Sequence, residues 1–185
     1  MTEKDVIVIG AGAAGLMCAA EAGKRGRSVL VLEHSEKAGK KILISGGGRC
    51  NFTNRNVTSE NFISGNTHFC KSALAGYTPD DFISLVEKYK IPYHEKKLGQ
   101  LFCNTSSREI LSMLKSECAE SHVEIITGCS VNNISGTGPF IIDTSSGTFK
   151  AKSVVTATGG ISIPQMGATD LGYKIAEQYG IKLTD

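Results

Sequence analysis

Val6-Ile7-Val8-Ile9 is an unbroken apolar run that follows the charged start MTEKD and precedes a cluster of glycines. Such a run predicts a strand covered on both faces, as in a parallel sheet. Small and apolar residues from Ala13 to about Lys24 then predict a helix, and Ser28 to Leu32 a second strand ending on Glu33. Strand, glycine turn, helix and strand in this order predict a βαβ unit.

Further on, Thr78-Pro79-Asp80-Asp81 has the chemistry of a helix start, with Thr as cap, Pro at the first position and acids in the first turn. Phe82, Leu85, Val86 and Tyr89 make its apolar stripe, and Pro92 closes it. Tyr93 to Leu98 and Gln100 to Cys103 read as a hairpin turned at Gly99. Ser106 and Glu109 have the spacing of a capping box, ahead of a helix that buries Ile110, Leu111, Leu114 and Cys118. Strands are expected over Val123–Ile126, Ser130–Ile134, Phe140–Thr144 and Thr148–Lys150, with a turn at Ser146-Gly147. A separate buried strand is expected at Val154-Val155, and a helix over Leu171–Gln178 stopped near Gly180. The pattern is α/β: a Rossmann-like parallel sheet with helices and an antiparallel β-meander, and a small, mainly helical excursion with a hairpin over 56–104.

Composition alters this little. With 185 residues, 41% hydrophobic and 21% charged, the chain suits a single soluble domain. A net charge of +2 argues for neither nucleic acid nor an anionic membrane as partner. Six cysteines and four histidines show no metal-ligand spacing, so no metal site is expected, and unpaired thiols fit a reducing cytoplasm. The acidic start and the shortness of the first apolar run oppose a secretory signal or a membrane span.

The glycines carry the chemistry. Gly10, Gly12 and Gly15 stand as G-x-G-x-x-G, a spacing that roughly one chain in four of this glycine content would show by chance. Its place between strand and helix is what makes it specific. The first glycine allows the tight turn, the second lets backbone approach a pyrophosphate, and the third packs helix on strand. Ala13 and Ala14 complete a helix N-terminus suited to phosphate, and Glu33 is placed to accept hydrogen bonds from a ribose. After Glu33 come His34, Lys40 and Lys41, then Ser45-Gly46-Gly47-Gly48-Arg49-Cys50-Asn51. That loop is too glycine-rich for helix or strand, and its amides can lie against a flat or anionic ligand. The alternative is a flexible surface turn with a solvated Arg49 and a buried Cys50. Ser153 to Gly160 runs a strand into Ala157-Thr158-Gly159-Gly160, small residues where α/β sheets receive ligands.

GAGAAG with Glu33, GKKILISGGGRCNFTN, the A-T-G-G element and the following GGISIPQMG together resemble the HI0933-like family of NAD(P)/FAD-dependent flavoproteins. Gln100 and Cys103 stand where that family usually shows Arg and Pro, and Ile163 where a tyrosine is frequent. The resemblance implies FAD at the first motif, with Ser45–Asn51 towards its flavin end, Ala157–Gly160 beneath it and the backbone of Val131 beside the adenine. It also implies an inserted β-domain and a returning C-terminal segment that these 185 residues lack.

The implied activity is hydride or electron transfer through FAD to or from a small organic substrate, with NADH or NADPH as reductant. A nicotinamide-dependent dehydrogenase using the first motif and a non-catalytic nucleotide-binding fragment are the rival readings, the latter folding with its missing C-terminal portion. No titratable pair in the sequence names a general acid or base.

Overall fold

The computed structural model describes residues 2–183; Met1, Thr184 and Asp185 of the expected 1–185 domain lie outside the described residues. The chain divides into two compact units, one of Met1–Lys41 with Leu114–Asp185 and one of Ile42–Met113.

In the first unit, β1 (Thr2–Ile9) lies between β2 (Val29–Leu32) and β9 (Gly147–Thr156). The six-stranded sheet is completed by β6 (Glu124–Ile126) beyond β2, and by β8 (Phe140–Thr144) and β7 (Val131–Ser135) beyond β9. The pairs β6–β2, β2–β1 and β1–β9 are parallel, whereas β9–β8 and β8–β7 are antiparallel. All four residues of β2 are buried, as a strand covered on both faces requires. Ile7, Ile9, Leu30 and Leu32 share one core with Cys129, Ile134, Ile142 and Ala151, against which Leu171 and Ile175 of α6 (Leu171–Gln178) pack. Helix α1 (Ala13–Lys24) buries Gly15, Leu16, Ala19 and Ala20. The Cys118 thiol, on α5 (Arg108–Glu120), donates to the Leu16 carbonyl at 3.3 Å.

Two expectations change here. The strands expected at Thr148–Lys150 and Val154-Val155 are one ten-residue strand, and both valines are half-buried rather than buried. Lys152 and Ser153 break the apolar pattern, but pairing to β1 continues through them, so long-range hydrogen bonds override the local signal. Likewise β1 begins at Thr2, because Thr2, Glu3 and Lys4 pair with Phe149, Lys150 and Ala151. Its charged residues meet partners on other strands of the sheet: Glu3 and Asp5 pair with Lys150 (3.2 Å) and Lys152 (2.8 Å) of the adjacent β9, and Lys4 reaches past β2 to Glu124 of β6 at 2.6 Å.

In the second unit, β3 (Asn51–Asn54), β5 (Gln100–Cys103) and β4 (Tyr93–Glu95) form an antiparallel sheet in that order. The hairpin is present but its first strand stops at Glu95, and Lys97–Gly99 make a tight turn with Leu98 at φ 63°. Strand β3, polar and too short to show a period, exists because β5 offers it an edge. Helix α4 (Pro79–Lys88) starts as expected, with the Thr78 hydroxyl accepting from the Asp81 amide and Asp81 capping Thr78 in return. Its buried residues are Ile83 and Val86, so Ile83 joins the expected stripe while Phe82, Leu85 and Tyr89 are half-buried. Phe52 packs edge-on to Tyr93 (5.5 Å) and tilted to Phe82 (6.0 Å). The start of α5 uses the expected residues: the Ser106 amide donates to Glu109 and the Arg108 amide to the Ser106 hydroxyl. That helix buries the expected Ile110, Leu114 and Cys118 and also Met113 and Glu117, whereas the expected Leu111 is half-buried. Among the described residues no helix is long and apolar enough to cross a membrane.

Candidate functional site

The three motif glycines do three different mechanical jobs. Gly10 leaves β1 at φ +107°, and a Cβ there would lie 2.5 Å from the Ala157 carbonyl oxygen, so the turn has no room for a side chain. At Gly15 a Cβ would lie 1.9 Å from the Gly10 carbonyl oxygen, so the helix can rest on the strand only through glycine. At Gly12, the N-cap of α1, a Cβ would meet nothing within 4 Å. The face in front of it is open. Ala13 and Ala14 are exposed beside it, and the first-turn amides of a helix have no intrahelical acceptor.

Around this turn the first unit brings together residues far apart in sequence. On one side the Ala157 amide donates to the Ile9 carbonyl at 2.9 Å, carrying Thr158, Gly159 and Gly160 past the end of β1. On the other, Glu33 stands at the end of β2 with 8% of its surface exposed. One of its carboxylate oxygens accepts from the Ala11 amide at 2.8 Å, and the other from the Ser35 amide at 2.9 Å with His34 Nδ1 at 3.1 Å. Glu33 therefore braces the turn as well as facing it. The carboxyl ends of β1, β2 and β9 meet here, and open α/β sheets bind ligands outside the carboxyl ends of their strands.

Lys41 does not stand free: its Nζ donates to the Gly160 carbonyl at 2.9 Å and approaches the Ser162 hydroxyl at 3.4 Å. It fixes the Ala157–Gly160 segment. Lys40 opens α2 (Lys40–Ile44) and is half-buried. Val131 begins β7, two residues beyond Cys129, whose amide donates to the Glu33 carbonyl at 2.9 Å. Ala11, Ser35 and Gly39 are not marked by the motif, yet the Gly39 amide bonds the Ala11 carbonyl at 2.9 Å and closes the loop onto the turn. Only the position of Ala11 inside G-x-G offers a signal for them.

Ser45 to Asn51 belong to the second unit and form a hydrogen-bonded turn. Gly46, Gly47 and Gly48 are all left-handed, at φ 57°, 67° and 84°, and Cys50 follows at 49°. The turn is tied by Cys50 N to Ser45 O (3.0 Å), Ser107 N to Gly48 O (2.7 Å) and Cys103 N to Arg49 O (2.9 Å). A Cβ on Gly46 would strike the Phe102 ring at 2.8 Å, whereas Gly47 and Gly48 face open space and Arg49 is exposed. Cys50 begins the run into β3, and Asn51 pairs with Phe102. Burial pushes the Cys50 thiol up; burial, with the nearby Cys50, pushes that of Cys103 up to about 12. Both are neutral thiols at ordinary pH.

This chain is 50% identical over 180 residues to the ribosomal RNA dihydrouridine synthase of Haemophilus influenzae, covering 95% of this chain and 45% of that protein. It is 28% identical over 182 residues to the 3-dehydro-bile acid delta(4,6)-reductase of Clostridium scindens, covering 96% and 44%. Among solved structures, the 3-ketosteroid-delta4-(5alpha)-dehydrogenase of Rhodococcus jostii RHA1 superposes with a TM-score of 0.61 at 16% identity, over 86% of this chain and 46% of that one. The chain thus spans less than half the length of these relatives, and the steroid enzyme shares its fold. The profile of the HI0933-like protein Rossmann domain matches residues 4–185, and the chain belongs to that family.

Proposed function

We propose that this chain is the FAD-binding portion of a flavin-dependent reductase that saturates a carbon–carbon double bond conjugated to a carbonyl, and that its substrate is a uridine of ribosomal RNA. The observation that carries the RNA assignment is the 50% identity, across 95% of the chain, to a ribosomal RNA dihydrouridine synthase. The chemistry unites the relatives' names. Dihydrouridine forms when hydrogen is added across C5=C6 of uracil, a bond conjugated to the C4 carbonyl. A delta(4,6)-reductase of a 3-dehydro steroid likewise acts on double bonds conjugated to a ketone. Both need a hydride at an electrophilic carbon conjugated to the carbonyl (β, or δ in a dienone) and a proton at the carbon next to it (α, or γ).

The residues at the first motif fit FAD. Bound in reduced form, FAD would supply the hydride. The open face at Gly12 and the first-turn amides of α1 suit its pyrophosphate. Glu33, already anchored through Ala11 and Ser35, keeps lone pairs for ribose hydroxyls. The backbone at Val131 would take the adenine, with Ala157–Gly160, held by Lys41, on the far side. NADH or NADPH is the reductant we assign, and the balanced reaction is uridine plus NAD(P)H plus a proton giving dihydrouridine and NAD(P)+. An RNA substrate departs from the expectation set by the small net charge.

The test is a nucleoside analysis of ribosomal RNA from cells with and without an intact gene for this protein. Loss of dihydrouridine with the gene, and its return with a wild-type copy but not with a Gly12→Glu copy, supports the reading. Ribosomal RNA with unchanged dihydrouridine, from cells whose protein reduces a steroid enone, overturns the RNA assignment. A purified protein without oxidised-flavin absorption overturns the cofactor.

A further inference from the structure

We infer that the second unit carries an RNA-contacting surface, built from the tip of the β4–β5 hairpin and the segment 55–71, in which bases stack on Phe69 and phosphates meet Lys71 and Lys97. This rests on the RNA reading above.

Charge is the first observation. Residues 42–113 hold eight basic and six acidic side chains, an excess equal to the +2 of the whole chain, so the first unit is neutral. Within the second unit the excess is local. Arg55, Lys71, Lys96 and Lys97 stand against Glu60 and Glu95 alone in 55–71 and 95–98, and Glu95 is taken up by Arg55 at 3.0 Å. Lys71 and Lys97 are exposed and have no ion-pair partner among the described residues. A whole-chain charge averages this feature away.

Exposure is the second. Every residue from Glu60 to Phe69 is exposed, including Phe62, Ile63 and, at 77%, Phe69. Leu98 is 84% exposed and sits at φ 63°, a left-handed conformation costly for a branched residue. The fold holds it there, since the Leu98 carbonyl accepts from Asn54 Nδ2 at 2.9 Å and the Gly99 carbonyl from the Arg55 amide at 2.9 Å. With Phe62, Ile63 and Phe69 it gives this unit a group of exposed apolar side chains, and such groups rather than single residues mark contact surfaces.

Hydrogen bonds link the two stretches. The hairpin tip is bonded to Asn54 and Arg55 as above, and Cys70, between Phe69 and Lys71, places its thiol 3.9 Å from the Ser59 carbonyl. Aromatic platforms interleaved with unpaired lysines suit single-stranded RNA, whose unstacked bases need π-faces and whose phosphates need cations. A purely apolar partner would leave Lys71 and Lys97 desolvated and unpaired.

Binding of a labelled, uridine-rich single-stranded RNA to the full-length protein, followed by anisotropy from about 50 to 200 mM salt, tests this. The K71A/K97A variant should flatten the slope of log affinity against log salt by about 1.4, the value for two phosphate contacts on a single strand. Phe69→Ala should weaken binding about five- to a hundredfold with the slope unchanged. Lys115→Ala, at an exposed position of α5, serves as the control and should bind like wild type. Wild-type affinity and slope in both surface variants, with thermal unfolding unchanged, overturn the surface while leaving dihydrouridine formation to stand. Self-association that Phe69→Ala abolishes without altering RNA binding overturns it too.

Discussion

Lys24 Nζ, on α1, lies 2.6 Å from Glu117 Oε2, on α5, and the carboxylate side chain is only 2% exposed. The lysine also reaches Glu21 at 3.0 Å and stays 41% exposed, so the pair is a buried acid held by a wet base. Its hydrogen bond to Glu117 raises the Lys24 pKa. Removing the base leaves a buried carboxylate short of a donor, whereas removing the acid frees a lysine that water can solvate. Lys24→Met should therefore cost about 1–3 kcal/mol, and Glu117→Gln less. Urea unfolding of the two single variants and the double variant measures the coupling between them.

The motif glycines should separate by stability. Gly15→Ala forces a methyl into the Gly10 carbonyl and should cost about 3 kcal/mol or more. Gly12→Ala meets nothing and should cost less than about 1 kcal/mol, while lowering FAD affinity. Thermal unfolding with and without FAD distinguishes the two.

Glu33→Ala strands the Ala11 and Ser35 amides, a loss of about 1–3 kcal/mol for each group left without an acceptor or water. Glu33→Gln retains one acceptor oxygen and should recover part of that stability. Both variants should weaken FAD binding in a titration of the apoprotein.

The Asp5 carboxyl is held well below the usual carboxylate range by hydrogen bonds from Lys152 and from the backbone and side chain of Ser28. A depressed native pKa means the stabilisation is complete above the unfolded value of about 3.9 and disappears as pH falls through the native one. Stability should thus decline below about pH 4, and Asp5→Asn should be less stable near neutrality but lose less on acidification. Denaturation midpoints measured from pH 6 downwards check the sign.

Thiol reactivity should follow burial. Burial raises Cys103 to about 12 and Cys118 to about 11, so both are protonated at pH 8. Iodoacetamide followed by peptide mass analysis should label the half-buried Cys18 and Cys70 in the native protein, with Cys103 and Cys118 modified only after unfolding.

Local signals carry the first half of the nucleotide-binding unit because its physics is local. A run of four β-branched residues, glycines at fixed offsets and an acid at a strand end specify β1, the turn, α1, β2 and Glu33 without reference to distant chain. The cap at Thr78 and the Glu109 carboxylate accepting from the Ser106 amide belong to the same class, each settled within one helical turn, although the Ser106 hydroxyl accepts from Arg108 rather than from Glu109. Strand β9 shows the limit. Lys152 and Ser153 interrupt its pattern, and it is one strand only because β1 offers parallel hydrogen bonds along its length.

Local chemistry set the βαβ order, the glycines at 10 and 15 and the acid at the end of β2, since each is decided over a few residues. It took the folded chain to show that Glu33 braces Ala11 and Ser35, that Lys41 is bound to Gly160, and that Phe69 and Leu98 are left exposed. Those facts depend on which distant segments share a sheet end or a hairpin edge. Contacts across more than a hundred residues, such as Lys41 to Gly160, leave no period or spacing in the chain that could announce them.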